Sequence, residues 1–101
     1  MKRRERLRWS HRARDDLRAI GRYIAADDPR AARAWVERLR KRAQLAAVTP
    51  GGGRVVPELG LAYVREVFLR TYRIVYQVVD DHIVVLTVVE GHRQMPGDLI
   101  K

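Results

Sequence analysis

One hundred and one residues with 47% apolar content and no cysteine describe a single globular domain with no disulfide framework, thiol nucleophile or thiolate metal site. The charged start MKRRERLRW is followed by no apolar run, and no stretch reaches the roughly 18 residues a membrane span needs, so neither a secretory signal nor a membrane association is expected and the cytoplasm is the expected compartment. The net charge of +9 lies wholly in residues 1–48, with fifteen Lys/Arg against six Asp/Glu, while residues 49–101 balance at six each; such a basic half either attracts a polyanion (nucleic acid or an acidic protein) or solvates helix faces.

Residues Glu5 to Trp9 alternate Leu7 and Trp9 with Arg6 and Arg8, the pattern of a short half-buried strand with Trp9 as a core anchor. Ser10 suits a helix N-cap, and Asp15 and Asp16 follow in the early turns, where carboxylates complement the helix dipole. Ala13, Leu17, Ile20 and Ile24 recur at helical spacing, so a helix is predicted over about 11–26. Arg14, Arg18 and Arg22 form a stripe on its other side and read as solvated surface. Asp28 caps a second helix and Pro29 opens it; Ala32, Val36, Leu39, Ala43 and Ala46 carry it over about 29–48, with Trp35 at the stripe's margin. The short break between them makes an antiparallel hairpin, whose apolar seam must be buried on a sheet.

Thr49-Pro50-Gly51-Gly52-Gly53 ends the second helix. The triple glycine lacks the Lys-Ser/Thr of a phosphate-binding loop and reads as a hinge or surface loop. Arg54 to Glu58 follows as an edge or connector, because Pro57 cannot donate to a ladder. Tyr63 to Arg93 is dense in Val, Ile, Tyr and Phe and broken at Arg70-Thr71 and Asp80-Asp81-His82; three strands are predicted, about 63–69, 72–79 and 83–90, paired as an antiparallel meander. The third is apolar on nearly both faces and is expected in a central position. Leu99 and Ile100, after the Pro96-Gly97 turn, either dock on the body or form a mobile tail. The fold class is α+β: an N-terminal strand, a helix hairpin and a three-stranded meander, four strands in all.

His11, His82 and His92 are scattered without metal-ligand spacing, and Ser10, the only serine, sits at a cap. The adjacent aspartate pairs suit caps and turns. What is left for chemistry is Arg65, Arg73, Glu90, His92 and Arg93. In simple register the three guanidinium groups form a cluster able to bind phosphates, and His92 has the intrinsic pKa to move a proton. The alternative is that these arginines are surface residues or pair with Glu66 and Glu90.

The order of elements, with WSHRARDDLRAIGRYIA, GRVVPELG and YVREVFLRTYRIVYQVVDDHIVVLTVVEGHRQ, resembles the ParE/RelE superfamily of type II toxin–antitoxin toxins from about Leu7 to Gln94. The resemblance implies one of two activities. RelE-like members are ribosome-dependent endoribonucleases that cut mRNA with basic sheet residues and often a C-terminal tyrosine or histidine. ParE-like members keep the fold, inhibit DNA gyrase and lack that set. Arg73 and Arg93 match two basic positions of the nuclease pattern, but Val64 and Glu66 stand where its lysines would be, and Leu99 replaces its aromatic residue. Losing the proton-transfer step forfeits a factor of roughly 10²–10⁴ in rate. These departures favour the ParE-like branch: a growth-inhibiting, plasmid-stabilising toxin that needs no cofactor or metal and is not itself an enzyme. A RelE-like nuclease using Arg65, Arg73, His92 and Arg93 is the alternative, and a non-toxic, antitoxin-binding relic is a second one. The resemblance also implies a ParD-like or RelB-like antitoxin, hetero-oligomeric with the chain. It would lie over the hairpin at Leu17, Ile20, Ile24, Trp35, Val36 and Leu39, with gyrase or the ribosome as target.

Overall fold

A computed structural model describes residues 6–100; Lys2, Arg3, Arg4 and Glu5, counted above in the basic half or the first strand, lie outside the described residues. Two helices, α1 (His11–Ala25) and α2 (Pro29–Val48), pack on one face of a five-stranded sheet. The strands are β1 (Leu7–Trp9), β2 (Arg54–Val55), β3 (Val64–Leu69), β4 (Tyr72–Val79) and β5 (His82–Glu90), in the spatial order β1-β5-β4-β3-β2. The meander is antiparallel as expected, and β1 pairs with β5 in parallel. The strand count is corrected from four to five: Arg54 and Val55 pair with Glu66 and Arg65 before Pro57 ends the ladder. β5 lies inside the sheet, between β1 and β4.

The helix ends follow local chemistry. The Ser10 hydroxyl accepts from the Ala13 N–H at 3.0 Å. The Asp28 carboxylate accepts from Arg30 and Ala31 at 3.0 and 3.2 Å, with Pro29 opening α2. Asp15 and Asp16 do not serve the helix dipole, since no acidic residue stands in the first turn of α1. Asp15 pairs with exposed Arg18, and Asp16 reaches the sheet. It does so at a bulge: the β4–β5 register steps from Val75↔Thr87 to Tyr76↔Val85, which leaves Leu86 without a partner. The Ser10 hydroxyl donates to the Leu86 carbonyl at 3.0 Å. The Asp16 carboxylate accepts from the Thr87 hydroxyl and from the Val88 N–H, the latter at 3.1 Å. The start of α1 therefore supplies the polar partners that the irregular ladder needs.

The sheet carries two cores. Leu17, Leu39, Ala43, Ile74, Tyr76, Ile83 and Val85 pack between helices and sheet. On the opposite face Val64, Val75 and Val56 pack with Met95, and Leu59, Leu61, Leu99 and Ile100 close over them. The C-terminal residues thus dock on the body. The glycine loop lies at the surface, with Gly51 and Gly52 exposed: Pro50–Gly52 is a 3₁₀ turn, and the Tyr76 hydroxyl donates to the Pro50 carbonyl at 2.7 Å. A Cβ on Gly53 would lie 2.8 Å from the Glu66 carbonyl oxygen and closer still to the Tyr76 hydroxyl, so only glycine fits there.

Candidate functional site

The sheet face away from the helices holds Arg73, and it is not a free cation. Its Nε and Nη2 lie 2.7 Å from Glu66 Oε1, and its Nη1 and Nη2 lie 2.7 and 2.8 Å from the two oxygens of Glu58. Glu66 also takes Arg54 Nε at 2.6 Å, and the Arg54 guanidinium lies 5.0 Å from the Phe68 ring centroid. The Glu66 side chain is fully buried and that of Arg73 is 8% exposed. Hydrogen bonding to Arg73 holds the Glu58 carboxyl down at about 2, and the two carboxylates raise the Arg73 guanidinium further above its ordinary range.

The other sheet cations do not join it. Arg65 donates to the carbonyls of Ala62 and Gly53 at 2.8 and 3.0 Å. Arg93 follows β5 and opens on the helix side, in a groove of about 430 Å³ between α1 and the sheet that Tyr23, Tyr72 and Glu90 also line. Burial, reinforced by the Glu90 charge, raises the Tyr72 phenol above its usual range. His92 is exposed, and its backbone N–H donates to Glu90 Oε1 at 2.9 Å. The arginine cluster expected from simple register therefore does not form: the turn after β5 carries Arg93 to the helix side of the sheet, opposite Arg73, and Arg73 is already paired with two acids.

The hairpin residues expected to face a partner lie at different depths. Of the six residues expected to face a partner, Leu39 is fully buried and Leu17 is 4% exposed. Trp35 turns inward to Tyr72, with ring centroids 6.0 Å apart and the Arg38 guanidinium 4.6 Å from the indole centroid. Ile20 packs on the core and lines the Tyr23–Tyr72 groove, and Ile24 is half-buried. Val36 is half-buried and lines the hairpin's outer surface, and the buried Leu17 reaches that surface from below.

What lies beside Val36 is a trough with two hollows. One, of about 580 Å³, has Trp9, Leu17 and Gly21 beneath it and Arg14, Arg18, Arg22 and Arg40 around it. The other, of about 670 Å³, runs toward the hairpin turn over Ala25, Pro29 and Ala32. The sequence signal for the rim was the Arg14–Arg18–Arg22 stripe. Its convergence with Arg40 and Trp9 depended on the packing of three separate elements.

A profile of the family described as ParE toxin of type II toxin-antitoxin system, parDE, matches residues 7–95 of the chain. A candidate toxin, Y4kP of Sinorhizobium fredii (strain NBRC 101917 / NGR234), is 37% identical over 95 residues, covering 92% of this chain and 95% of the relative. In three dimensions the chain is similar to a solved structure titled chromosomal ParDE TA system from P. aeruginosa. The TM-score is 0.70 and the identity 22%, over 83% of this chain and 92% of the other.

Proposed function

The chain belongs to the ParE toxin family of type II toxin–antitoxin systems, and from that premise we propose that it inhibits DNA gyrase by binding and is held inactive by a ParD-type antitoxin. The observation that carries the binding-inhibitor reading is the state of Arg73. A phosphodiester nuclease needs guanidinium groups free to hold the reacting phosphate and an acid/base pair beside them. Here Arg73 is spent on Glu58 and Glu66, Arg65 on two backbone carbonyls, and Arg93 lies on the other side of the sheet. The arginine-rimmed trough supports the antitoxin part of the reading, because it offers an acidic, amphipathic segment both an apolar floor and complementary charge. Binding such a segment would also stabilise a domain of this size by mass action. A target and an antitoxin of this kind place the protein in the cytoplasm, as a hetero-oligomer until the antitoxin is lost.

The test is a supercoiling assay with purified gyrase and purified protein. Loss of supercoiling with accumulation of cleaved DNA is expected, and stoichiometric antitoxin should reverse it. No effect at large molar excess overturns the gyrase reading and turns attention to mRNA ends on translating ribosomes.

A further inference from the structure

Gly21 stands in the middle of α1, where it works against the helix. Glycine at an interior helical position lowers the folding equilibrium about fivefold relative to alanine. The crossing of α1 and α2 does not forbid a side chain: outside its own helix backbone, a Cβ at this position would meet Val36 Cγ2, at 3.4 Å, the close edge of ordinary van der Waals contact. Its backbone is regular helix, so no unusual φ requires it either. What its missing side chain provides is a notch. Gly21 and Val36 are the two residues shared by both hollows, so the notch is where the trough runs through from the Trp9 end to the Pro29 end.

We propose that Gly21 is a specificity-determining residue of the antitoxin interface, an inference that rests on the antitoxin reading above. The occupant is an amphipathic helix of the antitoxin. One large apolar side chain of that helix seats in the notch over Gly21 and against Val36. Acidic residues on its flank face Arg14, Arg18, Arg22 and Arg40. Among the described residues only Arg18 of these four has an ion-pair partner, the exposed Asp15, so the rim's charge is available to an incoming anion. The notch selects for shape, and the rim sets orientation and on-rate.

The experiment is calorimetric titration of wild type, Gly21→Ala, Gly21→Leu and Arg14→Glu/Arg22→Glu with the co-expressed ParD-type antitoxin, beside a thermal melt of each chain alone. Gly21→Ala is expected to raise Tm by about 4–8 °C, the shift that a fivefold gain in folding makes in a domain of this size. Gly21→Leu is expected to melt no lower than wild type and to bind at least about thirtyfold more weakly, the loss typical of a blocked hot-spot pocket. The charge reversal is expected to slow association and flatten its salt dependence. Antitoxin binding by Gly21→Leu at wild-type affinity overturns the inference while leaving the antitoxin reading intact. A stabilised Gly21→Ala that binds normally beside a Gly21→Leu that does not fold also overturns it, because the notch would then be filled without consequence. Failure of wild type to bind the antitoxin removes the antitoxin reading itself.

Discussion

Arg73 is clamped by Glu66: Nε and Nη2 both lie 2.7 Å from one oxygen of a carboxylate that is completely buried in the sheet. A charge in that position has no water to fall back on, so removing one partner leaves the other held by a single, more exposed counter-ion: Glu66 by Arg54, or Arg73 by Glu58. Arg73→Ala and Glu66→Ala are each expected to destabilise the fold by about 1.5–3 kcal/mol, the loss of hydrogen bonds to a charged group. Replacing both by apolar residues of similar volume should recover most of that loss. Urea denaturation of the two singles and the double variant checks this. Equal losses in the singles with no recovery in the double would show that the pair is not the unit. A drop in toxicity of Arg73→Ala is then a folding effect, and it should track the urea midpoint.

Glu58 binds the outer edge of the same guanidinium and is 44% exposed, with its carboxyl held at about 2 against an ordinary 4.5. A carboxylate whose folded-state pKa is depressed contributes stability that is complete above its unfolded value and is lost as pH falls toward the folded one. The Glu58 contribution should therefore be constant above pH 4.5 and fade between 4.5 and about 2. Melting curves across that window should fall more steeply for wild type than for Glu58→Gln. Parallel curves would place the acid sensitivity elsewhere.

Gly53 has no room for a methyl group between the Tyr76 hydroxyl and the Glu66 carbonyl. Gly53→Ala is expected to cost about 1–3 kcal/mol through overpacking against backbone. It should also weaken the 2.7 Å bond from the Tyr76 hydroxyl to Pro50 that holds the 3₁₀ turn. Gly51→Ala, with nothing within 4 Å of its added Cβ, should be nearly neutral and serves as the control.

Asp16 joins α1 to the β5 bulge through Thr87 and Val88. Asp16→Ala strands a buried hydroxyl and a backbone N–H and should cost about 1.5–3 kcal/mol, while Asp16→Asn, which keeps an acceptor oxygen, should lose less. Amide hydrogen exchange at Val88 should accelerate in Asp16→Ala more than at Val67, which lies in the regular β3–β4 ladder.

Mapping of mRNA 5′ ends in cells producing the wild-type chain at a growth-inhibiting level should find transcripts uncut relative to an uninduced culture. A-site cuts that vanish in His92→Ala/Arg93→Ala would instead restore the nuclease reading.

Much of the fold was legible because its signals are local. The 3.6-residue recurrence of Ala13, Leu17, Ile20 and Ile24, the cap chemistry of Ser10 and Asp28, and the breaks at Arg70-Thr71 and Asp80-Asp81 act within a few residues. They placed both helices and all three meander strands to within a residue or two. β2 was less legible, since a strand of two residues has no periodicity to read.

The candidate site was less legible still, and the reason is physical. Whether a charge is free depends on what lies across space from it. Arg73 meets Glu66 only through the β3–β4 register and Glu58 only because the β2–β3 loop folds back over the sheet. Leu17 and Leu39 share a helical stripe with residues at the surface, and the helix-on-sheet packing decided which of them face the core. By itself the sequence determined the elements, their order, the basic excess of the first half and the family resemblance. The tertiary structure alone decided which arginines are neutralised, on which face each one opens, and that Gly21 and Val36 lie at the meeting point of two hollows. Ion pairing and burial fall off over a few ångströms, whereas partners here, such as Arg12 and Asp98, are up to 86 residues apart in the chain.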